Sequence, residues 1–374
     1  MGDPKTPETI VFRERKIGKG FPVFIIAEAG TSHGGSLPKA KELVQAAAES
    51  GADCIKFQIV FAEEIIHPKT GLVALPGGNI PLFDRFKQVE KDIVFYREIK
   101  EYADKKNILF LATPFGLKSA DILRRLTAGA VKIASPELNH YPLLKEVDKF
   151  GWPIIFSTGV STLKDIENAL AAVSSPAAIL HCITAYPAPE EEYNLKVIPM
   201  LEEQFHVPAG ISDHSLDPVL IPVVSTCIGS RILEKHITLD SRGSGLDDPI
   251  ACTPEKFTAM YRGVRDAEKS GFSETLRMME KEYGKKRIKT IQGKGHKELA
   301  PAEAENYRTT NRSVTAVRDI RKGEILTEAN IALLRSEKNL TPGLPAEEYM
   351  DLLGKKAARN IPDGTGLSQQ DIRA

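Results

Sequence analysis

The sequence predicts a (β/α)8 TIM barrel of roughly 250 residues followed by a small β-rich domain. Three observations predict it. The length, 374 residues, suits one large domain plus a small one. Short apolar, β-branched runs alternate with longer amphipathic segments, the pattern of parallel strands and crossover helices. The tail carries an internal repeat.

The strand-like runs are Phe24–Glu28, Cys54–Gln58, Leu109–Thr113, Ala130–Ser135, Pro153–Thr158, Ala178–Cys182, Ala209–His214 and Ile232–His236. There are eight of them, most of them spaced by about one βα unit. An open doubly wound sheet is the alternative. The ends of the runs favour the barrel. Glu28, Lys56, Gln58, Thr113, Lys132, Ser135, Ser157, His181, His214 and His236 all lie at or near carboxyl ends. Barrel closure brings those ends to one face, where catalytic groups sit.

The connection from Ile59 to Asn107 is too long for an ordinary loop and contains Pro76-Gly77-Gly78-Asn79-Ile80-Pro81. It reads either as a cover over the mouth of the barrel or as a surface excursion. From about Thr253 to Tyr307 the chain is charged and helical in pattern, with lysines clustered near 281–297, and reads as a solvated face or linker. Beyond Arg312, Ala316–Thr327 is echoed by Ala357–Ser368, and both copies run on to an isoleucine, Ile331 and Ile372. A duplicated strand–turn unit predicts a small domain with pseudo-twofold symmetry. The expected divisions are a barrel over 1–285, a linker over 286–311 and the second domain over 312–374.

Fifty basic residues balance fifty acidic ones, so no electrostatic footprint for nucleic acid or an anionic membrane is present. Cys54, Cys182, Cys227 and Cys252 are dispersed and form no CxxC pair, which argues against a zinc cluster or disulfide scaffold. No apolar stretch is long enough to span a membrane, and the polar N-terminus does not read as a signal peptide. The expectation is a cytoplasmic protein.

His214 and His236 end adjacent strands, where two imidazoles can share one divalent ion and leave positions open for Lewis-acid work. The structural alternative is a pair of backbone-bonded histidines. Asp213, Glu234 and Asp247 are nearby as supporting or substrate-binding groups. Lys56 and Lys132 lie within apolar strands, a costly place for a cation unless it is paired or used. Together with Thr113, Ser135, Ser157 and Ser212 they describe an anion site better than a Schiff-base site. Glu28 and Glu137 are carboxylates placed for proton transfer.

On these residues the chain resembles the sialic acid (N-acetylneuraminate) synthase family. The matching segments are Ile26–Ser36, Lys56-Phe57-Gln58, Thr113-Pro114-Phe115, Lys132–Glu137, Ser157-Thr158-Gly159, His181-Cys182, Tyr186-Pro187, Ser212-Asp213-His214 and Leu233–His236. The tail resembles the antifreeze-like (SAF, β-clip) domain that follows the barrel in that family. The resemblance implies condensation of phosphoenolpyruvate with an N-acylated amino-sugar aldehyde, N-acetylmannosamine first among them. It implies a divalent ion on His214 and His236, manganese before magnesium or cobalt. Lys56, Thr113, Lys132, Ser135, Ser157, Thr184 and Ser212 would hold phosphoenolpyruvate. Glu28, Gln58, Glu137, Tyr186, Asp247 and Arg335 would face the sugar, Arg335 from the small domain of a domain-swapped homodimer. Glu137, then Glu28, would transfer protons, with Lys56 in the catalytic set.

Three departures from the family pattern bear on the sugar more than on the chemistry. Thr184 stands where asparagine is common, Ser32-His33 replaces Asn-His, and Arg335-Ser336-Glu337-Lys338 replaces Arg-Pro-Gly. The alternatives are the same chemistry on a 6-phosphate or on a legionaminic, pseudaminic or spore-coat sugar precursor. A class I aldolase using Lys56 or Lys132, and a non-catalytic carbohydrate- or ice-binding protein, are further alternatives.

Overall fold

The described residues begin with an antiparallel hairpin that the sequence pattern does not suggest, β1 (Thr9–Phe12) and β2 (Arg15–Gly18). Thereafter come β3 (Phe24–Gly30), β4 (Cys54–Ile59), the hairpin β5 (Leu72–Leu75) and β6 (Gly78–Pro81), β7 (Leu109–Pro114), β8 (Val131–Ile133), β9 (Ile154–Ser157), β10 (Ala177–Cys182), β11 (Ala209–Asp213) and β12 (Ile232–His236). These are the elements of a computed structural model that describes residues 9–75, 78–243 and 245–373.

Eight of the strands form one sheet in the order β7-β4-β3-β12-β11-β10-β9-β8, every pairing parallel. Its end strands, β7 and β8, adjoin, so the sheet curls into the barrel. The expected run Ala130–Ser135 is shorter as a strand. After Ile133 the chain turns into a single 3-10 turn, Ser135–Glu137, because Pro136 has no N–H to offer a ladder.

Alternate residues of each strand face opposite ways. Phe24, Ile26, Cys54, Leu111, Ala130, Ile155, Ala178, Leu180 and Ile232 pack with Ile10, Phe12 and Ile17 of the first hairpin. That hairpin therefore plugs the amino-terminal end of the barrel. Ile25, Ala27, Ile55, Phe57, Phe110, Ala112, Val131, Ile133, Phe156, Ile211 and Leu233 face outward into the core shared with the surrounding helices.

The stretch from Thr253 to Tyr307 is less solvated than its charge suggests. Helices Pro254–Ser270, Phe272–Tyr283 and Lys285–Gln292 bury Phe257, Met260, Val264, Met279, Ile288 and Ile291 in the barrel core. Their apolar residues recur at helical spacing among many lysines, so mean charge hides the buried face. Further on, Lys297 and Glu303 are buried as well.

The second domain has its own core, including Val314, Ile320, Leu326, Ile331, Leu333, Leu344, Ile361 and Leu367. β13 (Arg312–Ala316) pairs antiparallel with β14 (Ile331–Arg335), and β15 (Lys356–Ala357) with β16 (Ile372–Arg373). Ile320 and Ile361 occupy equivalent positions of the repeat and exchange reciprocal backbone hydrogen bonds of 2.9 and 2.8 Å. That bridge lies on the expected pseudo-twofold axis.

The long connection after β4 joins the two domains. The backbone N–H of Arg335 donates to the Ile65 carbonyl at 3.0 Å, and His67 Nε2 lies 2.9 Å from Asp363 Oδ1. Of the turn-rich stretch in this connection, Pro76 and Gly77 fall outside the described residues. Val73, Leu82 and Phe86 line the cavity described below, so the connection borders the mouth of the barrel. Among the described residues no helix is long and apolar enough to cross a membrane.

Candidate active site

Above the apolar interior, the next inward position on every strand carries a polar or ionisable group. These are Glu28, Lys56, Thr113, Lys132, Ser157, Cys182, Ser212 and Glu234. One step further along the chain direction come Gln58, Ala134, Thr184, His214 and His236. Together they define a cavity of about 510 Å³ at the carboxyl ends of the strands. All the candidate residues read from the sequence line it except Thr113, Glu137, His181 and Asp213, the last two of which point outward from their strands. Thr113 sits behind Lys56, its Oγ1 3.4 Å from Nζ.

The floor is an alternating charge array. Lys56 Nζ lies 3.0 Å from Glu28 Oε2 and 3.4 Å from Glu234 Oε1, and Lys132 Nζ lies 3.9 Å from Glu234 Oε1. Burial alone would neutralise Lys56, but Glu234 and Glu28 outweigh it and hold the ammonium above its ordinary pKa. Burial likewise favours the neutral form of Glu234, yet Lys132 and Lys56 keep its carboxyl below the usual range. Glu28 is raised, chiefly by burial. Lys132 has less compensation, and burial pushes it down to about 8.

Hydroxyls surround Lys132. Its Nζ donates to Ser157 Oγ at 2.5 Å, and Ser212 Oγ donates to Glu234 at 3.0 Å. The N–H of Gly159 donates to Ser135 Oγ at 2.9 Å. A Cβ on Gly159 would lie 2.1 Å from Thr184 Oγ1, so only glycine lets these groups converge. Among the described residues Thr184 Oγ1 has no hydrogen-bond partner, while its N–H is held by Glu303 Oε2 at 2.7 Å. Cationic nitrogen plus converging hydroxyls is a site for a phosphate or carboxylate.

In the same cavity His214 and His236 lie side by side, ring centroids 5.4 Å apart. His214 Nδ1 is 2.8 Å from the Ile183 carbonyl, a contact only an N–H can make, so Nε2 keeps its lone pair. Burial lowers both histidines and favours the neutral imidazole, the ligand form. The pair therefore fits a divalent ion. Among the described residues no cluster of three or more His, Cys, Asp or Glu is arranged around one point, so further coordination positions would fall to water or substrate. Tyr186 stacks on His214 with centroids 4.2 Å apart.

Beside the imidazoles, Glu28 Oε1 accepts from Gln58 Nε2 at 2.8 Å, and Asp247 Oδ2 lies 3.8 Å from His236 Nδ1. Burial and the nearby Glu28 carboxylate push Asp247 up to about 6. Gly30, with φ of 52°, sits where a Cβ would come within 3.2–3.4 Å of Asp247, Glu28 and Gln58. The Ser32 departure has a role here. Its Oγ donates to Asp248 Oδ1 at 2.6 Å, and Asp248 also accepts from Gly245 N–H and Thr238 Oγ1, which fixes the loop that carries Asp247.

Glu137 is placed differently from its neighbours in the motif. It is fully buried outside the cavity lining, and its Oε1 accepts from Arg312 Nη2 at 2.8 Å and from Arg335 Nη2 at 2.5 Å. The 3-10 turn that follows β8 rotates this side chain toward the small domain. Arg335 reaches the cavity from that domain, over the ring of Phe115, and does so within the same chain.

Sequence reasoning passes over Arg312, whose side chain is fully buried. Besides Glu137 it donates to the carbonyls of Glu64, Phe115 and Leu333. Asn139 clamps its backbone N–H and carbonyl at 3.1 and 2.9 Å. An arginine opening the short strand Arg312–Ala316 is the signal for it in the sequence. Glu234 reads from the sequence as a supporting group, although its spacing from His236 already puts both on one face.

Comparison with known proteins adds to this geometry. The NeuB family model matches residues 43–274 and the SAF domain model residues 311–373. The chain is 35% identical to the spore coat polysaccharide biosynthesis protein SpsE of Bacillus subtilis, over 96% of this chain and 95% of that one. The crystal structure of SpsE superposes with a TM-score of 0.82, covering 98% of this chain and 99% of that one. Identity to the N,N'-diacetyllegionaminic acid synthase of Campylobacter jejuni is 34%, over 91% and 97% of the two chains. A crystal structure of the N-acetylneuraminic acid (sialic acid) synthetase of Leptospira borgpetersenii matches with a TM-score of 0.63 and 32% identity, over 80% of this chain and 95% of that one.

Proposed function

The chain belongs to the NeuB family, and from that membership we propose that it condenses phosphoenolpyruvate with the aldehyde of an N-acylated amino sugar, giving a nonulosonic acid and phosphate. N-acetylmannosamine is the first acceptor in this reading, with N-acetylneuraminate as product. A 6-phosphate, legionaminic, pseudaminic or spore-coat precursor would enter by the same chemistry. One observation carries the reading: an anion site built on Lys132, Ser135, Ser157, Thr184 and Ser212 shares one cavity with a pair of neutral imidazoles.

A divalent ion held by His214 and His236, manganese in this proposal, would supply Lewis-acid polarisation of the aldehyde. The residues of the chain do the rest. Lys132 and the hydroxyls hold the phosphate and carboxylate of phosphoenolpyruvate. Its C3 bonds to the aldehyde carbon, and the aldehyde oxygen takes up a proton. Water adds at C2 and loses one proton; the new hydroxyl gives its remaining proton to the departing phosphate as the C2–O bond breaks, and a ketone remains. Glu28, inside the cavity, is the carboxylate we assign to proton transfer, in preference to Glu137. Lys56 compensates the charge of Glu28 and Glu234. Lys56 is disfavoured as an imine-forming nucleophile, because its two carboxylate partners keep it protonated.

Phosphate release is expected only when phosphoenolpyruvate, Mn²⁺ and one acylated hexosamine of a panel are all present, and metal stripping should abolish it. Release without any metal, or trapping of a pyruvate imine by borohydride, would reject the reading. The homodimer and the cytoplasmic location belong to the same proposal. Exchange of small domains between two chains would keep the Arg335–Glu137 contact, and light scattering reads the mass.

The pH dependence has a definite sign. With Lys132 near 8, kcat/KM for phosphoenolpyruvate should fall as pH rises through that value, because the free enzyme loses the charge that holds the anion. A profile flat up to the ordinary lysine value of 10.5 would contradict it. Stability moves the other way. Between about 8 and 10.5 the folded chain binds fewer protons than the unfolded one, so the penalty from Lys132, complete below about 8, is relieved as pH rises.

A further inference from the structure

Behind the two imidazoles lies a second polar layer that the other strands lack. At the carboxyl ends of β3, β4, β7, β8 and β9, the outward positions are apolar: Ala27, Phe57, Ala112, Ile133 and Phe156. On β10, β11 and β12 they are His181, Asp213 and Lys235, all buried. Asp213 and Lys235 are register partners, and each is the immediate neighbour of one cavity histidine. Strand alternation points the pair away from the cavity while His214 and His236 point into it.

The pair is saturated with directed bonds. Lys235 Nζ donates to Asp213 Oδ2 at 2.6 Å and to the Ser215 carbonyl at 2.6 Å. Asp213 Oδ1 accepts from Tyr193 Oη at 2.5 Å and from Ser215 N–H at 2.8 Å. The same Tyr193 oxygen accepts the backbone N–H of His214 at 2.9 Å, and His181 Nε2 donates to the Tyr193 carbonyl at 2.6 Å. The network thus bonds the His214 main chain directly and pins the residue before His236. A buried ion pair is about neutral for stability against an apolar pair of the same size. Hydrophobic packing would have held these strands together, as it does around the rest of the barrel. What directed bonds add is a fixed distance and orientation.

We infer that Tyr193, Asp213 and Lys235 are positioning residues that set the spacing of His214 and His236 for a shared divalent ion. The inference rests on the reading of those histidines as metal ligands. Groups that orient metal ligands from behind typically change affinity by about 10–100-fold when removed, and the same range is expected here.

Mn²⁺ uptake, followed by loss of the free-ion EPR signal, tests it without reference to turnover. Tyr193→Phe should weaken Mn²⁺ binding by at least about tenfold and change phosphoenolpyruvate binding far less, since Lys132 and Ser157 of the anion site stand on β8 and β9 while the network braces β11 and β12. Lys235→Met should weaken it further, and Lys235→Arg should recover part of the loss. Glu202→Gln is the control. It breaks the Arg231 ion pair (2.8 Å) just before β12, and should alter stability but not Mn²⁺ affinity. A folded Tyr193→Phe protein with wild-type Mn²⁺ affinity overturns the inference, and it decides the matter even where Lys235→Met fails to fold. Failure of the wild-type chain to take up Mn²⁺ removes the metal reading and this inference with it, and is seen before any substitution is made.

Discussion

Lys56→Met is expected to produce the largest loss of any single substitution, in both stability and turnover. Lys56 is the cation between Glu28 and Glu234, and all three side chains are at most 4% exposed. Removing it leaves Glu28 without a cationic partner and Glu234 with Lys132 at 3.9 Å. Breaking a buried pair from one side costs about 3–5 kcal/mol. Turnover should fall by a further factor of roughly 10²–10³, the usual effect of deleting one preorganised electrostatic group. Adding Glu28→Gln to Lys56→Met removes the orphaned charge and should restore much of the stability without restoring turnover. Denaturant titration and steady-state kinetics on the single and double variants separate the two effects. A single variant with wild-type stability would mean that the floor of the cavity is solvated and the charge array is not coupled.

Glu137→Gln should have a different signature. Its carboxylate is the anchor for Arg312 and Arg335, so the variant leaves a fully buried guanidinium without its counter-charge, a loss of about 3–5 kcal/mol. These ion pairs are among the contacts that hold the small domain on the barrel, beside the Arg335–Ile65 and His67–Asp363 bonds. The expected result is faster proteolysis within residues 293–311 and a KM for the sugar raised by about tenfold or more, since Arg335 loses its orientation. Turnover at saturating sugar should be much less affected. A collapse of kcat with the domain still docked would return Glu137 to the proton-transfer role that its place in the motif suggests.

Much of the site is legible in the sequence. Strand alternation is a local property, so spacing alone assigns Lys56 with Gln58, Ser212 with His214, and Glu234 with His236 to common faces. The repeat is legible for the same reason, whereas the pairing of its equivalent residues Ile320 and Ile361 appears only in the folded domain. The N-terminal hairpin is not legible, because its strands of four residues each are too short for periodicity to stand out. Helix Lys285–Gln292 is legible as a helix, but its lysines hide the buried face that carries Ile288 and Ile291. In both cases the burial that stabilises the element comes from distant residues.

Local pattern dictates the barrel, the repeat-bearing tail and the inward-facing set of groups, because hydrophobic period and turn chemistry act over a few neighbouring residues. Which charges neutralise one another is settled only by the packed chain. Glu28 and Glu137 are the same residue type, each close to the end of a barrel strand. Glu28 faces Lys56 inside the cavity, whereas a 3-10 turn swings Glu137 out to meet two arginines from a domain that begins 175 residues later. Coulombic partners and desolvation depend on distances through space, and no local pattern encodes those.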